Sequence, residues 1–247
     1  MAGLNYRIDL NADVGEGVAT EAEIIPLLSS CNVACGGHYG DRDSVLKTLA
    51  IARKAGIKVG AHPAYPDKAN FGRKVMNIEV ERLKDELLSQ LELFFNCCLE
   101  LDIQAHHVKP HGALYNQAAK DLQTAKVIVE VMRSIEQKLP LYTLPGGVLD
   151  SLASDLEIIP EAFIDRRYNA DYSLVSRSLA NALITNPSEA WKQLEMLVKQ
   201  GHIRSVEGAL IPIKAKTFCV HSDTPGALDL LTHIHRQMAA NDMQLAI

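Results

Sequence analysis

The chain has 247 residues, of which 47% are hydrophobic and 22% are charged, close to the averages of soluble globular proteins. This composition argues against a disordered or fibrous chain, and a net charge of -5 leaves no basic stripe for a nucleic acid. Because the chain has neither a signal-peptide pattern nor a run of about 18 apolar residues, we expect no membrane association and a cytoplasmic location.

Strand-like and helix-like segments alternate along the whole chain. Seven segments are predicted as strands: residues 5–10, 31–34, 57–61, 103–108, 141–144, 157–164 and 217–220. Between them, apolar residues recur at the i, i+3, i+4 spacing of amphipathic helices. Residues 205–210 are predicted as a hairpin that turns at Glu207-Gly208, ahead of the last strand.

Repeated strand-helix units predict an α/β fold with a parallel sheet covered by helices, and about 250 residues is the usual size of a closed β/α barrel. Seven units therefore predict a slightly incomplete, seven-stranded barrel. The alternative is an open doubly wound sheet, but no G-x-G-x-x-G follows the first strand. No linker or change in composition divides the chain, so residues 1–247 are predicted to form a single domain.

Polar residues follow nearly every predicted strand, at the end where β/α barrels carry their reactive groups. Five of the nine histidines fall in these segments: His38, His62, His107, His111 and His221. A lone histidine is more often a structural residue. Several ionisable groups at one barrel mouth, however, shift each other's pKa values and are costly to keep without a use. We therefore predict the functional site there.

Two other sets of residues have simpler interpretations. The five cysteines, an odd number in strand-like or helix-like segments, are predicted to be core thiols: Cys31, Cys35, Cys97, Cys98 and Cys219. The glycine-rich stretches at residues 15–17 and 36–40 suit tight turns as well as they suit an anion site. Since no G-x-x-x-x-G-K-[S/T] occurs, any ATP dependence must come from elsewhere.

Seven motifs occur in order along the chain: DLNADVGEG at 9–17, NVACG at 32–36, GAHP at 60–63, FGR at 71–73, HVKPHGALYN at 107–116, DR at 165–166 and CVH at 219–221. With their spacing they resemble the LamB/YcsF family, whose members are the A subunits of bacterial 5-oxoprolinases. The resemblance implies the seven-stranded barrel of the polysaccharide-deacetylase-like (glycoside hydrolase/deacetylase) superfamily.

The activity that this resemblance implies is ATP-dependent hydrolysis of the lactam 5-oxo-L-proline to L-glutamate, together with partner subunits B and C. The alternatives are a self-sufficient, metal-dependent amidohydrolase or carbohydrate deacetylase, and a non-catalytic regulatory subunit.

The reaction that the resemblance implies suggests roles for the polar residues at the strand ends. Lys109 or Arg166 could hold the substrate carboxylate or a phosphate, with arginine preferred for a two-pronged grip. The residues expected to be catalytic are Asp13, His38, His62, Lys109 and His111. Those expected to bind substrate are Asn11, Glu16, Arg73, Asp165, Arg166, His221 and Asp223. Superfamily relatives place an Asp and two His around a divalent metal, which makes Asp13, His62 and His111 the candidate ligands here. The same three residues are equally candidates for the general base or acid.

This sequence departs from the usual family pattern at a few positions. Gly37 stands where the family generally has Phe, Tyr39 where it has a small residue, Ala64 where it has Gly, and Ser176 where it has Pro. The histidines and carboxylates are retained, so we expect the chemistry to be kept and the shape of the pocket to differ.

Overall fold

Parallel strands form a closed barrel in the computed structural model, which describes residues 6–246. In chain order the strands are β1 (Tyr6–Val14), β2 (Ser30–Ala34), β3 (Lys58–His62), β4 (Ala105–Val108), β5 (Leu141–Thr143), β6 (Ile158–Phe163), β7 (His202–Arg204), β8 (Leu210–Pro212), β9 (Thr217–Cys219) and β10 (Met243–Leu245). Strands β1 to β6 and β9 follow each other around the barrel, and β1 pairs with both β2 and β9 to close it. The predicted seven-stranded α/β barrel is confirmed. Asn5, the predicted start of the first strand, lies outside the described residues.

Three short strands lie outside the barrel. The hairpin of β7 and β8 is antiparallel, and Gly208 in its turn has a φ of 88°. The turn therefore lies where the sequence predicts it. The paired residues are 202–204 and 210–212, on either side of segment 205–209. Strand β10 pairs in parallel with residues 6–8 of β1. The sequence analysis missed β10 because three residues carry too little periodicity.

Within residues 6–246 the chain forms eight helices, of which the fourth lies beside the mouth of the barrel. They are α1 (Glu21–Ile24), α2 (Arg42–Ala55), α3 (Val80–Glu100), α4 (Gly112–Ala118), α5 (Leu122–Ser134), α6 (Val148–Leu152), α7 (Pro187–Gln200) and α8 (Ala227–Ala240), with 3-10 turns at Ile25–Leu27 and Lys68–Asn70. Helix α2 begins at a capping box: the Asp41 carboxylate accepts from the Ser44 backbone N–H, and the Ser44 hydroxyl accepts from the Asp41 backbone N–H. Of the helices described, none has the length and apolar character of a membrane span.

Alternate residues of strand β1 face opposite sides of the barrel wall. Leu10, Ala12 and Val14 are fully buried and belong to the hydrophobic core cluster. The residues that alternate with them, such as Asn11 and Asp13, hydrogen-bond with polar side chains from the other barrel strands. The barrel interior is therefore polar, and each buried polar group must find a partner there.

One chain of hydrogen bonds inside the barrel has a defined direction. The Asn32 amide group donates to the side-chain oxygens of Asn11 and Asp13, both at 2.8 Å. Its own oxygen must then accept, and it lies 2.6 Å from His107 Nε2. With its proton on Nε2, His107 accepts from His106 through Nδ1 at 3.1 Å. The fully buried His107 thus supports the Asp13 carboxylate from below and, contrary to the sequence-based prediction, does not line the mouth.

Gly60 in β3 leaves the space that the His107 ring occupies. A Cβ at this position would lie 2.3 Å from His107 Nε2, although the backbone conformation itself does not require glycine. The glycine is therefore needed for close approach of a side chain rather than for a turn.

We expect Gly60→Ala to destabilise the protein by about 1–3 kcal/mol, because the methyl group overpacks the barrel interior. In a chain of this size the midpoint of thermal unfolding should fall by roughly 2–4 °C per kcal/mol. Thermal melts of Gly60→Ala, His107→Ala and the double variant check the cause. The cost of Ala at position 60 should largely disappear when His107 is absent. An equal cost in both backgrounds would rule out the clash.

Candidate active site

A cavity of about 1130 Å³ opens at the carboxyl ends of the barrel strands. It brings together seven of the site residues implied by the sequence: Asp13, His62, Arg73, Lys109, His111, Arg166 and His221. The other five lie behind or below its walls: Asn11, Glu16, His38, Asp165 and Asp223. All twelve thus belong to one continuous region.

Two backbone carbonyls fix the protonation of the central histidines. His62 Nδ1 lies 2.7 Å from the Lys109 carbonyl oxygen, and His111 Nε2 lies 3.0 Å from that of Phe71. A carbonyl only accepts, so each of these nitrogens carries a proton. The remaining lone pairs, on His62 Nε2 and His111 Nδ1, face each other at 2.9 Å. Two lone pairs so close repel unless a proton or a cation lies between them.

Glu16, His38, His62 and His111 form a cluster whose potential ligand atoms all lie within 4.8 Å of one another, and Asp13 lies beside it. Asp13 Oδ2 lies 3.4 Å from His62 Nε2, and Glu16 Oε1 lies 3.4 Å from His111 Nδ1. Two imidazole nitrogens and two carboxylate oxygens suit a divalent transition metal such as zinc. The carbonyls that orient both histidines are the outer partners that metal-bound histidines ordinarily have. The residues present are therefore compatible with a divalent ion, for which Asp13, His62 and His111 stay the candidate ligands, with Glu16 and His38 clustered around the histidine pair.

His38 lies behind this set. Its ring stacks on that of His111 with 3.6 Å between centroids, and its Nε2 lies 2.8 Å from Glu16 Oε1. Burial, together with the nearby His62, lowers the pKa of His38 to about 2, so the ring is neutral. His38 is 1% exposed and does not line the cavity, so its contacts are with Glu16 and His111 rather than with a ligand in the cavity.

Lys109 holds the other face of Asp13. Its ammonium lies 3.0 Å from Asp13 Oδ1 and 2.9 Å from Glu161 Oε1, so Asp13 presents Oδ2 to His62. Burial opposes ionisation of Asp13, yet its interactions with His62 and with the Lys109 ammonium hold the pKa of Asp13 well below its ordinary value. The facing negative groups likewise raise the pKa of Lys109 well above its usual range despite burial. Lys109 is therefore held as a cation between two carboxylates, a position that suits orienting Asp13 rather than accepting a proton.

A second group of potential ligands, formed by Asp13, Cys219 and His221, does not suit a metal. The Lys109 ammonium already lies 3.2 Å from Cys219 Sγ and would repel another cation. Burial also raises the pKa of Cys219 well above its usual value, which keeps the thiol protonated. Of the two groups, only the one that contains the histidine pair therefore suits a metal.

His221 and Asp165 form a dyad at the cavity wall. The Asp165 carboxylate accepts from His221 Nδ1 at 3.0 Å, from the His221 backbone N–H at 3.0 Å and from the Thr224 hydroxyl at 2.6 Å. Burial lowers the pKa of His221, although Asp165 opposes that shift. With its proton on Nδ1, His221 has a lone pair on Nε2, so the ring can transfer a proton at the cavity wall.

Arg177 is a site residue that the sequence analysis missed. Its Nη1 lies 3.1 Å and 3.2 Å from the two Asp223 oxygens, and the same carboxylate pairs with Arg73. Arg177 lines the cavity from segment 166–184, where isolated bridges replace regular strands. The only signal in the sequence is the excess of arginine near the sixth strand.

The fold and the site define a seven-stranded β/α barrel with a histidine–carboxylate cluster and a histidine–aspartate dyad at its mouth. The profile of the LamB/YcsF family matches residues 8–247, and the chain belongs to this family. It is 38% identical to the 5-oxoprolinase A subunit of Acinetobacter baylyi, over 97% of either chain. It is also 38% identical to the 5-oxoprolinase A subunit of Limosilactobacillus fermentum, over 97% of this chain and 98% of the relative.

Solved structures agree with this assignment. The lactam utilization protein from Thermus thermophilus superposes with a TM-score of 0.89 and 33% identity, over 97% of this chain and 98% of that one. A family 4 carbohydrate esterase from Streptomyces lividans superposes with a TM-score of 0.52 at 8% identity, over 98% and 93% of the two chains. At that identity the likeness shows the fold alone.

We expect the wild-type chain to bind about one divalent transition metal ion, measured by calorimetry and by elemental analysis after dialysis. His62→Ala and His111→Ala should each weaken binding by at least about 100-fold, because they remove one donor atom from the set. The control is His233→Ala, on helix α8 and away from the mouth. Undiminished binding in both site variants would show that a shared proton, not a metal, joins the two nitrogens.

Proposed function

We propose that this chain is the lactam-hydrolysing subunit of a 5-oxoprolinase, which opens 5-oxo-L-proline to L-glutamate. The observation that carries the proposal is the convergence of the His62 and His111 lone pairs beside Asp13, in one cavity with the His221–Asp165 dyad. The relatives named as 5-oxoprolinase A subunits support the choice of substrate.

The reaction poses two problems for a catalyst. A lactam amide is stabilised by resonance, so its carbonyl oxygen must be polarised and water must be activated. A divalent ion held by Asp13, His62 and His111 would supply polarisation and a more acidic water. Lys109 and Asn32 keep Asp13 ionised and oriented for that role.

His221 serves the other half of the reaction. When the C–N bond of the ring breaks, the nitrogen leaves as a poor anion unless it receives a proton. His221 first takes a proton from the attacking water at Nε2 and then delivers it to the ring nitrogen. Asp165 keeps the opposite nitrogen protonated throughout and stabilises the imidazolium that forms in between.

ATP and partner subunits B and C belong to the same proposal. The chain has no P-loop motif, so the nucleotide would be bound and cleaved on other subunits. The relatives are each named as one lettered subunit of 5-oxoprolinase, which supports a multi-subunit enzyme.

The alternative is a self-sufficient, metal-dependent amidohydrolase or deacetylase. The nitrogen and oxygen donor set favours it, because such a site suffices for hydrolysis in many metalloenzymes. The two proposals differ in whether the chain turns over substrate without ATP and without partners.

We expect the purified chain, loaded with a divalent metal, neither to hydrolyse ATP nor to open 5-oxo-L-proline. The physical reason is that its sequence has no P-loop motif to bind a triphosphate, while the lactam needs activation. Phosphate and glutamate release measure the two activities, and a panel of acetylated sugars tests the alternative. Addition of the partner subunits should produce ATP-coupled glutamate formation. ATP-independent turnover of any panel substrate would favour the self-sufficient enzyme instead.

We expect His221→Asn to lower the turnover of the assembled enzyme by roughly 10²- to 10⁴-fold, the usual contribution of a general acid or base. Metal binding should persist, because His221 is not in the histidine pair. Asp165→Asn should have a similar effect, since its amide would favour the wrong tautomer. The control is Thr224→Val, which removes one hydrogen bond to Asp165 and should cost far less. Normal turnover in His221→Asn would support a non-catalytic role for this chain.

A further inference from the structure

Arg166 is a buried cation without a counterion among residues 6–246. The residue is 5% exposed, and its Nη2 donates to the Val175 carbonyl at 2.7 Å. Its Nε has no hydrogen-bond partner, and no carboxylate of the described chain forms an ion pair with its guanidinium. Buried charges are ordinarily paired, and a buried donor left without an acceptor is rare. An unpaired guanidinium at the wall of a large cavity therefore calls for an anion from outside the chain.

The neighbouring charges do not neutralise Arg166. Arg73 and Arg177 also line the cavity, and both already share the Asp223 carboxylate. The nearby Asp165 carboxylate is engaged by His221 and Thr224. The wall therefore carries more guanidinium groups than free carboxylates.

Two further observations at this wall leave the excess of positive charge in place. Asp171 lines the cavity, but its carboxylate accepts from the backbone N–H and the hydroxyl of Ser173 and forms no ion pair with Arg166. Burial, reinforced by the charge of Arg177, lowers the pKa of Arg166 to about 10. Arg166 therefore still carries its charge near neutral pH.

We propose that Arg166 forms a subsite for a carboxylate on the substrate ring, in the same cavity as the His62–His111 pair. The proposal rests on the proposed function and adds which part of the substrate is recognised. A guanidinium binds the two oxygens of a carboxylate through a planar pair of N–H groups, and Nε of Arg166 has no other hydrogen-bond partner.

The subsite gives the substrate a fixed orientation. The carboxylate of 5-oxo-L-proline and its lactam carbonyl lie on opposite sides of the ring nitrogen. With the carboxylate at Arg166, the carbonyl can turn toward His62 and His111, which line the same cavity. A lactam without the carboxylate would lose both this ion pair and the orientation, so the subsite makes the enzyme selective for anionic lactams.

Calorimetric titration of the folded chain tests the subsite with three probes. These are 5-oxo-L-proline, 2-pyrrolidinone, which is the same ring without the carboxylate, and inorganic phosphate. The wild type should bind 5-oxo-L-proline roughly 30-fold or more tightly than 2-pyrrolidinone, as expected for a buried charge-assisted pair. Arg166→Gln should remove that preference, and Arg166→Lys should retain part of it, because it keeps the charge without the planar fork.

The matched control is Arg167→Gln. Arg167 is the next residue along the chain, but it pairs with exposed Glu189 at 2.8 Å and does not line the cavity. Its variant should keep the full preference. If Arg166→Gln does not fold, Arg166→Lys takes its place: a reduced preference for 5-oxo-L-proline supports the subsite, and an unchanged preference overturns it.

The remaining outcomes separate this inference from the proposed function. Equal binding of both lactams by the wild type would overturn the subsite even if the assembled enzyme is active. Tight binding of phosphate that depends on Arg166 and displaces 5-oxo-L-proline would overturn its assignment to a carboxylate. Carboxylate-dependent binding that is lost in Arg166→Gln would support the subsite even if the assembled enzyme opens no lactam, and then the proposed function alone would fall.

Discussion

The ammonium group of Lys109 sets the geometry of the barrel mouth. It lies within 3.0 Å of carboxylate oxygens of Asp13 and Glu161, which would repel each other in the polar interior without it. The backbone carbonyl of the same residue accepts from His62 Nδ1 and thereby turns His62 Nε2 toward Asp13. One residue at the end of β4 thus orients both a carboxylate and an imidazole of the candidate metal site. Displacing it would disturb the two ligands together.

The interior and the mouth of the barrel are therefore one hydrogen-bonded unit. Asp13 Oδ1 is occupied from below by Asn32 and Lys109, and only Oδ2 is left for the mouth. Asn32 in turn depends on His107, and His107 fits because Gly60 has no side chain. Buried polar networks of this kind are stable only when every member has a partner. Substitutions of Gly60 or His107, below the mouth, should consequently change the orientation of Asp13 and with it the activity.

The sequence predicted the barrel and the location of the site because both follow from local periodicity and from the ends of strands. It could not separate the residues that line the mouth from those beneath it, since that depends on side-chain direction. His107 and Lys109 are two residues apart and both point into the barrel, but Lys109 reaches the mouth cavity together with His111 and His107 does not. Arg177 was missed because its contact with Asp223 joins segments 46 residues apart.

The departures from the family pattern act mostly from behind the site. A Cβ at Gly37 would lie 2.3 Å from Gln90 Oε1, and the Gln90 amide binds both the N–H and the carbonyl of Ala64 at 2.9 Å. Gln90 thus fills the space beside Gly37 and supports the loop that follows His62. Tyr39 likewise packs outside the cavity, against Gly17. Among the departures, Ser176 does line the cavity, beside Arg177. Differences in substrate preference should therefore depend on segment 166–184, where the proposed carboxylate subsite lies, rather than on positions 37 and 39.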